Sequence, residues 1–183
     1  MEKPAAWAVR HEALQADCKV FQVFKQVCQH PHDGREGVFF TVRCADWVMA
    51  LPVTAEGKLV LVRQYRFGAQ ALSWEPPGGI VDPGEDPVAA AERELTEETG
   101  YCGTASYLGG CSPNPAIFNN RAHFVLVENC TLAAAQNLDA NEELEVGCFT
   151  PREAERMALA GKIHHALALT ALFYLRAARP GLF

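Results

Sequence analysis

Short apolar runs bounded by turn residues mark most of this chain as strand, and helical stripes replace them in only a few places. Lys19–Cys28, KVFQVFKQVC, sets Val20, Val23 and Val27 beside Phe21 and Phe24 and reads as a strand, with a short helix as the alternative. Val38–Cys44 and Trp47–Val53 read as strands, and Leu59–Arg63, LVLVR, as a buried one. Between them His30–Gly34 is a turn cluster and Glu56-Gly57-Lys58 a tight hairpin turn, because Gly permits the backbone that such turns need. His30 and His32 are read as solvated turn residues rather than metal ligands. Trp74-Glu75 leads into Pro76-Pro77-Gly78-Gly79, a rigid bend. Further strands are expected at Thr104–Gly109, Ala122–Glu128 and Glu143–Phe149, with a stiff loop at Cys111–Ala116 and a polar, mobile stretch at Asn129–Asn141. Residues 1–17 read as a loosely tied lead-in.

The helical period is clearest after Asp86. Asp86 can cap free N–H groups, Pro87 suits the first helical position, and Gly100 can take the left-handed conformation that closes a helix. Within that span Val88, Ala91 and Leu95 form an apolar stripe. Near the C-terminus, Thr150-Pro151-Arg152-Glu153 carries a capping residue, a proline at the first position and an acid three residues after the cap. Gly161 interrupts, and a second helix is expected over Ile163–Ala177, with Leu167, Ala171 and Tyr174 on one stripe. His164 and His165 stand at its entry and, being adjacent, point in different directions, which argues against joint ligation.

Composition narrows the class. A chain of 183 residues, 49% hydrophobic and 21% charged, suits one domain with a sizeable core. The net charge of −6 argues against a broad nucleic-acid partner or an anionic membrane surface. Seven cysteines, an odd number with no CxxC pair, point to a reduced, cytoplasmic protein in which they act as small apolar packers. No segment approaches the apolar length of a membrane span, and the N-terminus has no apolar signal core.

The chemistry gathers on the central helix. Glu94, Glu97 and Glu98 stand at i, i+3 and i+4, on one face, where like charges repel. An acidic face open to water would carry the same residues, and Arg93 would soften the repulsion. A hard divalent cation that takes carboxylate and phosphate oxygens together would resolve it. The surroundings favour the cation. Gly79, Glu85, Arg93-Glu94-Leu95, Glu97-Glu98 and Gly100-Tyr101 stand at the spacing of the Nudix box, which the segment resembles at every fixed position; only Tyr101, where an aliphatic residue is more usual, departs softly. Chance agreement at seven fixed positions comes to about one in a million.

That resemblance implies an α/β protein with the Nudix fold, an α/β/α sandwich around a mixed sheet. A strand-rich N-terminal extension, residues 1–45, would precede a catalytic domain, residues 46–183. VRQYRFGAQALSWEPPGG before the box, the proline-containing loop after it, and ANEELEV followed by a helix and GKI resemble the ADP-ribose pyrophosphatase branch. The implied reaction is attack of water on one phosphorus of a nucleoside diphosphate linked to a sugar, with Mg²⁺, or Mn²⁺, as cofactor. The alternatives are hydrolysis of nucleoside triphosphates or dinucleotides, a weaker reading of RNA cap removal, and a silent ligand-binding domain, against which the complete box argues.

By the same resemblance, Glu94 and Glu98 are the principal metal ligands, Glu97 assists, and the Gly78 carbonyl adds a backbone oxygen. Glu85 and Arg93 form the pair that fixes the loop against the helix. Glu142 or Glu143, in the late acidic loop, positions or deprotonates the attacking water, Glu142 fitting better; a solvated loop charge is the plain alternative. Arg66 is placed to hold a phosphate, Glu75 to reach the sugar or a partner chain, and Trp47 to stack on a base or pack in the sheet. Pro115, fifteen residues after Gly100, matches the proline mark of the ADP-ribose branch. The apolar residues of 19–44 need covering, which points to a two-fold homodimer in which Trp47 or its neighbours reach the partner's nucleotide.

Overall fold

The computed structural model describes residues 3–183, so the first two residues of the expected lead-in and of the extension lie outside the described residues. Two compact units form. One gathers the chain up to Ala45 with Ser112–Arg121, and the other gathers Asp46–Cys111 with Ala122–Phe183.

The first unit is an antiparallel meander of β1 (Ala8–Asp17), β2 (Gln22–Gln29) and β3 (Glu36–Arg43). β1 corrects the expectation of a loose lead-in. Its residues are exposed or half-buried on both faces, so no apolar alternation announces it, and backbone pairing with β2 supplies its order. Val42 exchanges backbone hydrogen bonds with the 112–121 segment, its N–H donating to the Ile117 carbonyl at 2.7 Å and its carbonyl accepting from Asn119 at 3.2 Å. Val20, Phe21, Val38, Phe39 and Phe40 all remain exposed in this unit.

The second unit is built on a six-stranded mixed sheet. β4 (Trp47–Thr54) runs parallel to β8 (Ala122–Leu132), and β7 (Tyr101–Cys111) pairs antiparallel with β8. β5 (Leu59–Arg66) touches β4 through Val53 and Leu59, then pairs with β6 (Ala71–Glu75) on one edge and β9 (Glu145–Phe149) on the other. The two-residue period of the strands explains the layers. Met49, Leu51, Phe124 and Leu126 face one side, where they pack with Ala154 of α2 (Pro151–Leu159) and with Leu167, Ala168, Ala171 and Leu175 of α3 (Ala166–Ala178). Val48, Ala50, Val125 and Val127 face the other, against Ala90, Ala91 and Leu95 of α1 (Pro87–Thr99). Both faces of β4 and β8 are therefore buried, which is why their sequences read as continuous apolar runs. Helices on both faces of a mixed sheet give the expected α/β sandwich.

The caps of α1 and α2 follow the sequence. The Asp86 carboxylate accepts from the Val88 N–H at 2.8 Å, and Gly100, at φ 74°, closes α1 by donating to the Thr96 carbonyl at 2.9 Å. Thr150 and Glu153 form a reciprocal capping box on α2. Most strand ends shift by a few residues from expectation, and three departures are larger. β6 was not expected at all, because five residues are too few to show a period. β8 continues past Glu128, since Asn129 takes a left-handed backbone, φ 54°, and the strand resumes to Leu132. α3 starts at Ala166 rather than Ile163, because the Lys162 and Ile163 N–H groups are spent on the Met157 carbonyl at the end of α2. Among the described residues no helix is long and apolar enough to cross a membrane.

Candidate active site

The site begins with the bend after β6. The Pro77 carbonyl accepts from Ala50 at 2.8 Å and the Gly79 carbonyl from Val48 at 2.9 Å, so Pro77–Gly79 lies along β4. A Cβ at Gly78 would collide with the Val48 carbonyl oxygen, and one at Gly79 would sit 2.5 Å from Glu94 Oε1. Glycine at both positions is what lets the bend touch the sheet on one side and the acidic helix on the other. The Gly78 N–H donates to Glu98 Oε2 at 2.9 Å.

The acids of α1 are not a solvated face. Glu98 is 3% exposed and the Glu94 side chain 14%, while Glu97 is more open at 41%. Burial, with the like charges of Glu94 and Glu142, pushes the Glu98 carboxyl up to about 8 against the hydrogen bond from Gly78. Burial also raises the Glu94 carboxyl, against its pairing with Arg93. Arg93 is fully engaged. It grips Glu85 with two bonds of 3.0 Å, donates to Glu94 at 2.8 Å and to Glu97 at 3.3 Å, and reaches the Ile80 carbonyl at 3.1 Å. The hydrogen bonds to Glu85, foremost, raise its pKa further. With every donor turned inward, Arg93 ties the acids to the loop, as expected of the Glu85–Arg93 pair.

A cavity of about 1140 Å³ opens beside this cluster, slightly above the usual range of small-molecule sites. Its lining includes Trp47, Arg66, Gly78, Gly79, Glu142, Glu143 and His165. Glu94, Glu97 and Glu98 do not line it themselves; the cavity meets them through Gly78 and Gly79. Glu142 is exposed and its carboxylate accepts from the Asp139 N–H at 3.1 Å. Its charge is among the leading ones felt at both Glu94 and Glu98. Among the described residues no three His, Cys, Asp or Glu side chains converge on a ready-made metal site. The buried Glu98 and the partly buried Glu94, both of raised pKa, with a third negative charge close enough to act on both, nevertheless form an all-oxygen donor set suited to a hard dication.

A second node lies across the cavity. Glu75 is fully buried, and its carboxylate accepts from Arg66 Nε at 3.0 Å, Arg66 Nη2 at 2.7 Å and His165 Nδ1 at 2.7 Å. Burial alone would raise the Glu75 pKa, but the hydrogen bonds from His165 and Arg66 outweigh it and hold the group down at about 2. Glu75 is thus not free to reach a sugar or a partner chain, as the sequence suggested, because both its oxygens are taken inside its own unit. Trp47 lines the cavity of its own unit. Pro115 is exposed and belongs to the 112–121 segment of the other unit.

Sequence reasoning missed three lining residues. Tyr65 and Phe67 stand edge to face with ring centroids 5.3 Å apart, and Phe67 is 82% exposed. His165 was set aside because adjacent histidines cannot ligate together; its pairing with a carboxylate ninety residues away leaves no local signal.

Comparison with known proteins places this geometry. The model of the NUDIX domain matches residues 46–170. An ADP-ribose pyrophosphatase of Bacillus subtilis (strain 168) is 32% identical over 162 residues, 86% of each chain. A methanol dehydrogenase activator of Bacillus methanolicus is 31% identical over 137 residues, 74% of each chain. A solved structure, the crystal structure of ADP compounds hydrolase, superposes with a TM-score of 0.87 over 99% of this chain and 98% of that one, at 22% identity, and so shares the fold.

Proposed function

The chain belongs to the NUDIX domain family, and from that premise we propose that it hydrolyses the diphosphate of ADP-ribose or a related nucleoside diphosphate sugar. The observation that carries this reading is the complete acid set of α1, with Glu98 buried and Glu94 partly buried, set against the Gly78-Gly79 wall of a nucleotide-sized cavity. The relatives named above support the choice of an ADP-containing substrate. In the reaction, water attacks one phosphorus, the bond from that phosphorus to the bridging oxygen breaks, and two phosphate monoesters leave.

Glu94 and Glu98, with help from Glu97, Glu142 and the Gly78 carbonyl, are the groups that would hold a divalent cation, Mg²⁺ first. When bound, such an ion neutralises diphosphate oxygens and makes water easier to deprotonate. Glu142, the lining acid whose charge reaches both helix acids, positions the attacking water and takes its proton. Arg66 neutralises a phosphate oxygen, and Glu75 fixes its guanidinium. Trp47, Tyr65 and Phe67 offer aromatic faces to the base. The exposed Val38, Phe39 and Phe40 of β3 support a two-fold homodimer through the N-terminal sheet, and seven free cysteines support a reducing, cytoplasmic setting.

Assaying ADP-ribose, other nucleotide sugars, nucleoside triphosphates and dinucleotides side by side tests this reading. The expected order puts the nucleotide sugars first. A preference for triphosphates would overturn it.

A further inference from the structure

We propose that Gln136 is a positioning residue for the hydrolysis: its side chain fastens the loop that carries Glu142 to the last turn of α1, and so sets where Glu142 stands relative to Glu94 and Glu98. The inference rests on the reading of Glu142 as the acid that positions the attacking water.

An α-helix leaves the carbonyls of its last turn without partners inside the helix. In α1 the cap takes one of them, the Thr96 carbonyl accepting from Gly100. Two more go to the segment after β8. The Glu97 carbonyl accepts from the Asn137 N–H at 2.8 Å, and the Glu98 carbonyl accepts from Gln136 Nε2 at 2.6 Å. The Gly100 carbonyl takes the Ala133 and Ala134 N–H groups at 2.9 and 3.1 Å, and a Cβ at Gly100 would collide with the Ala134 carbonyl oxygen. The segment therefore lies directly on the end of the acid helix. The bonds from Ala133, Ala134 and Asn137 come from the backbone, and side chains other than proline at those positions would keep them. Among the described residues Gln136 supplies the one side-chain hydrogen bond between this segment and α1. It ends on the backbone of Glu98, whose carboxylate accepts from Gly78.

Beyond Asn137 the connection to Glu142 is short. Only Leu138, half-buried, precedes the turn of residues 139–142. That turn is closed by the Glu142 N–H on the Asp139 carbonyl at 2.9 Å and by the Asp139 N–H on Glu142 Oε2 at 3.1 Å. At the far end Glu145 opens β9, and its carboxylate accepts from Arg63 at 3.2 Å. Glu142 thus lies in a stretch pinned at both ends, and the end tied to the acid helix is the one Gln136 holds. The Glu142 charge acts on both Glu94 and Glu98, so a shift of the loop changes what those acids meet.

A glutamine that only capped α1 would alter stability and leave turnover alone, so the test reads both. On ADP-ribose at saturating Mg²⁺ we expect Gln136→Ala to lower kcat about fivefold with KM within about twofold of wild type. Gln136→Glu, nearly isosteric but without a donor, should lower kcat at least as far, and Gln136→Lys, which restores a donor at the helix C-terminus, should stay within about twofold. In a Glu142→Gln background Gln136→Ala should cost less than about twofold, because the residue it positions has already lost its function. An unchanged kcat in Gln136→Ala, no rescue by Gln136→Lys, or the full loss repeated beside Glu142→Gln would overturn the proposal. Amide hydrogen exchange of the metal-free chain adds a reading without turnover. In Gln136→Ala the Asn137 and Glu142 amides should exchange about fivefold faster and the Gly100 amide at an unchanged rate; equal acceleration at all three, or at none, overturns the assignment. A chain that prefers triphosphates and shows the same pattern on them upholds Gln136 and overturns the nucleotide-sugar reading. Full activity on ADP-ribose that is indifferent to Gln136 does the reverse, and no hydrolysis of either overturns both.

Discussion

Replacing Glu75 with Gln tests the Glu75 node, because the variant keeps the side-chain volume and removes only the charge. In the folded chain this carboxyl titrates at about 2, against a usual value of 4.5. A difference of roughly two and a half units corresponds to about 3 kcal/mol of native-state stabilisation, at about 1.4 kcal/mol per unit. The group is fully buried, so the figure needs no discount for solvent on its side, although Arg66 is 40% exposed and can regain water when its partner is lost. The sign follows from the depressed folded pKa. The stabilisation is fully present above 4.5, where the unfolded group is also ionised, and is lost as the pH falls through the folded value of about 2. Urea unfolding of wild type and Glu75→Gln at neutral pH and at steps down to strong acid measures the gap directly. We expect about 3 kcal/mol at neutral pH, closing as the pH drops below about 4.5. A neutral-pH gap under about 1 kcal/mol, or one that stays constant on acidification, would refute the claim that His165 and Arg66 hold a buried anion.

Three further outcomes follow from the site and the surface. Glu98→Gln should lower kcat/KM by about a hundredfold or more and abolish the rise in melting temperature on adding Mg²⁺, while circular dichroism shows an unchanged fold; near wild-type turnover at saturating Mg²⁺ would remove Glu98 from the metal set. Glu142→Gln should cut kcat at least about tenfold with KM little changed, and more than Glu143→Gln does, since the Glu142 charge is among the leading ones acting on both helix acids; equal values within about twofold for both variants would send the search for the base elsewhere. Sedimentation at micromolar concentration should give twice the 20.0 kDa of one chain, and a fully active monomer would overturn the dimer.

What could be read in advance depended on how local the determinant is. The box acids and the caps of α1 lie within about two dozen residues, and helical geometry alone sets Glu94, Glu97 and Glu98 side by side. The burial of Glu98 and the partial burial of Glu94 were not legible. Both depend on the close approach of Gly78 and Gly79, which are glycines because of contacts with Val48 and Glu94 rather than because of any turn signal. Glu75 looked like a residue free to meet a sugar, and only the fold brings it under Arg66 from β5 and His165 from α3. β1 escaped because a strand exposed on both faces, with its apolar residues scattered between them, has no period to detect, and β6 because it is too short to show one. Tyr65 and Phe67 sit at the end of β5 and in the turn that follows it, where apolar residues are usually taken as strand or loop packing; their exposure beside a cavity is a property of the folded chain.

The most direct test of the central claim is phosphorus NMR of ADP-ribose incubated with the purified chain and Mg²⁺, with and without EDTA. The account predicts that the diphosphate signals give way to AMP and ribose 5-phosphate, and that EDTA stops the conversion. ADP-ribose left intact under conditions in which the same preparation consumes a nucleoside triphosphate, or conversion that proceeds unchanged in EDTA, would contradict it.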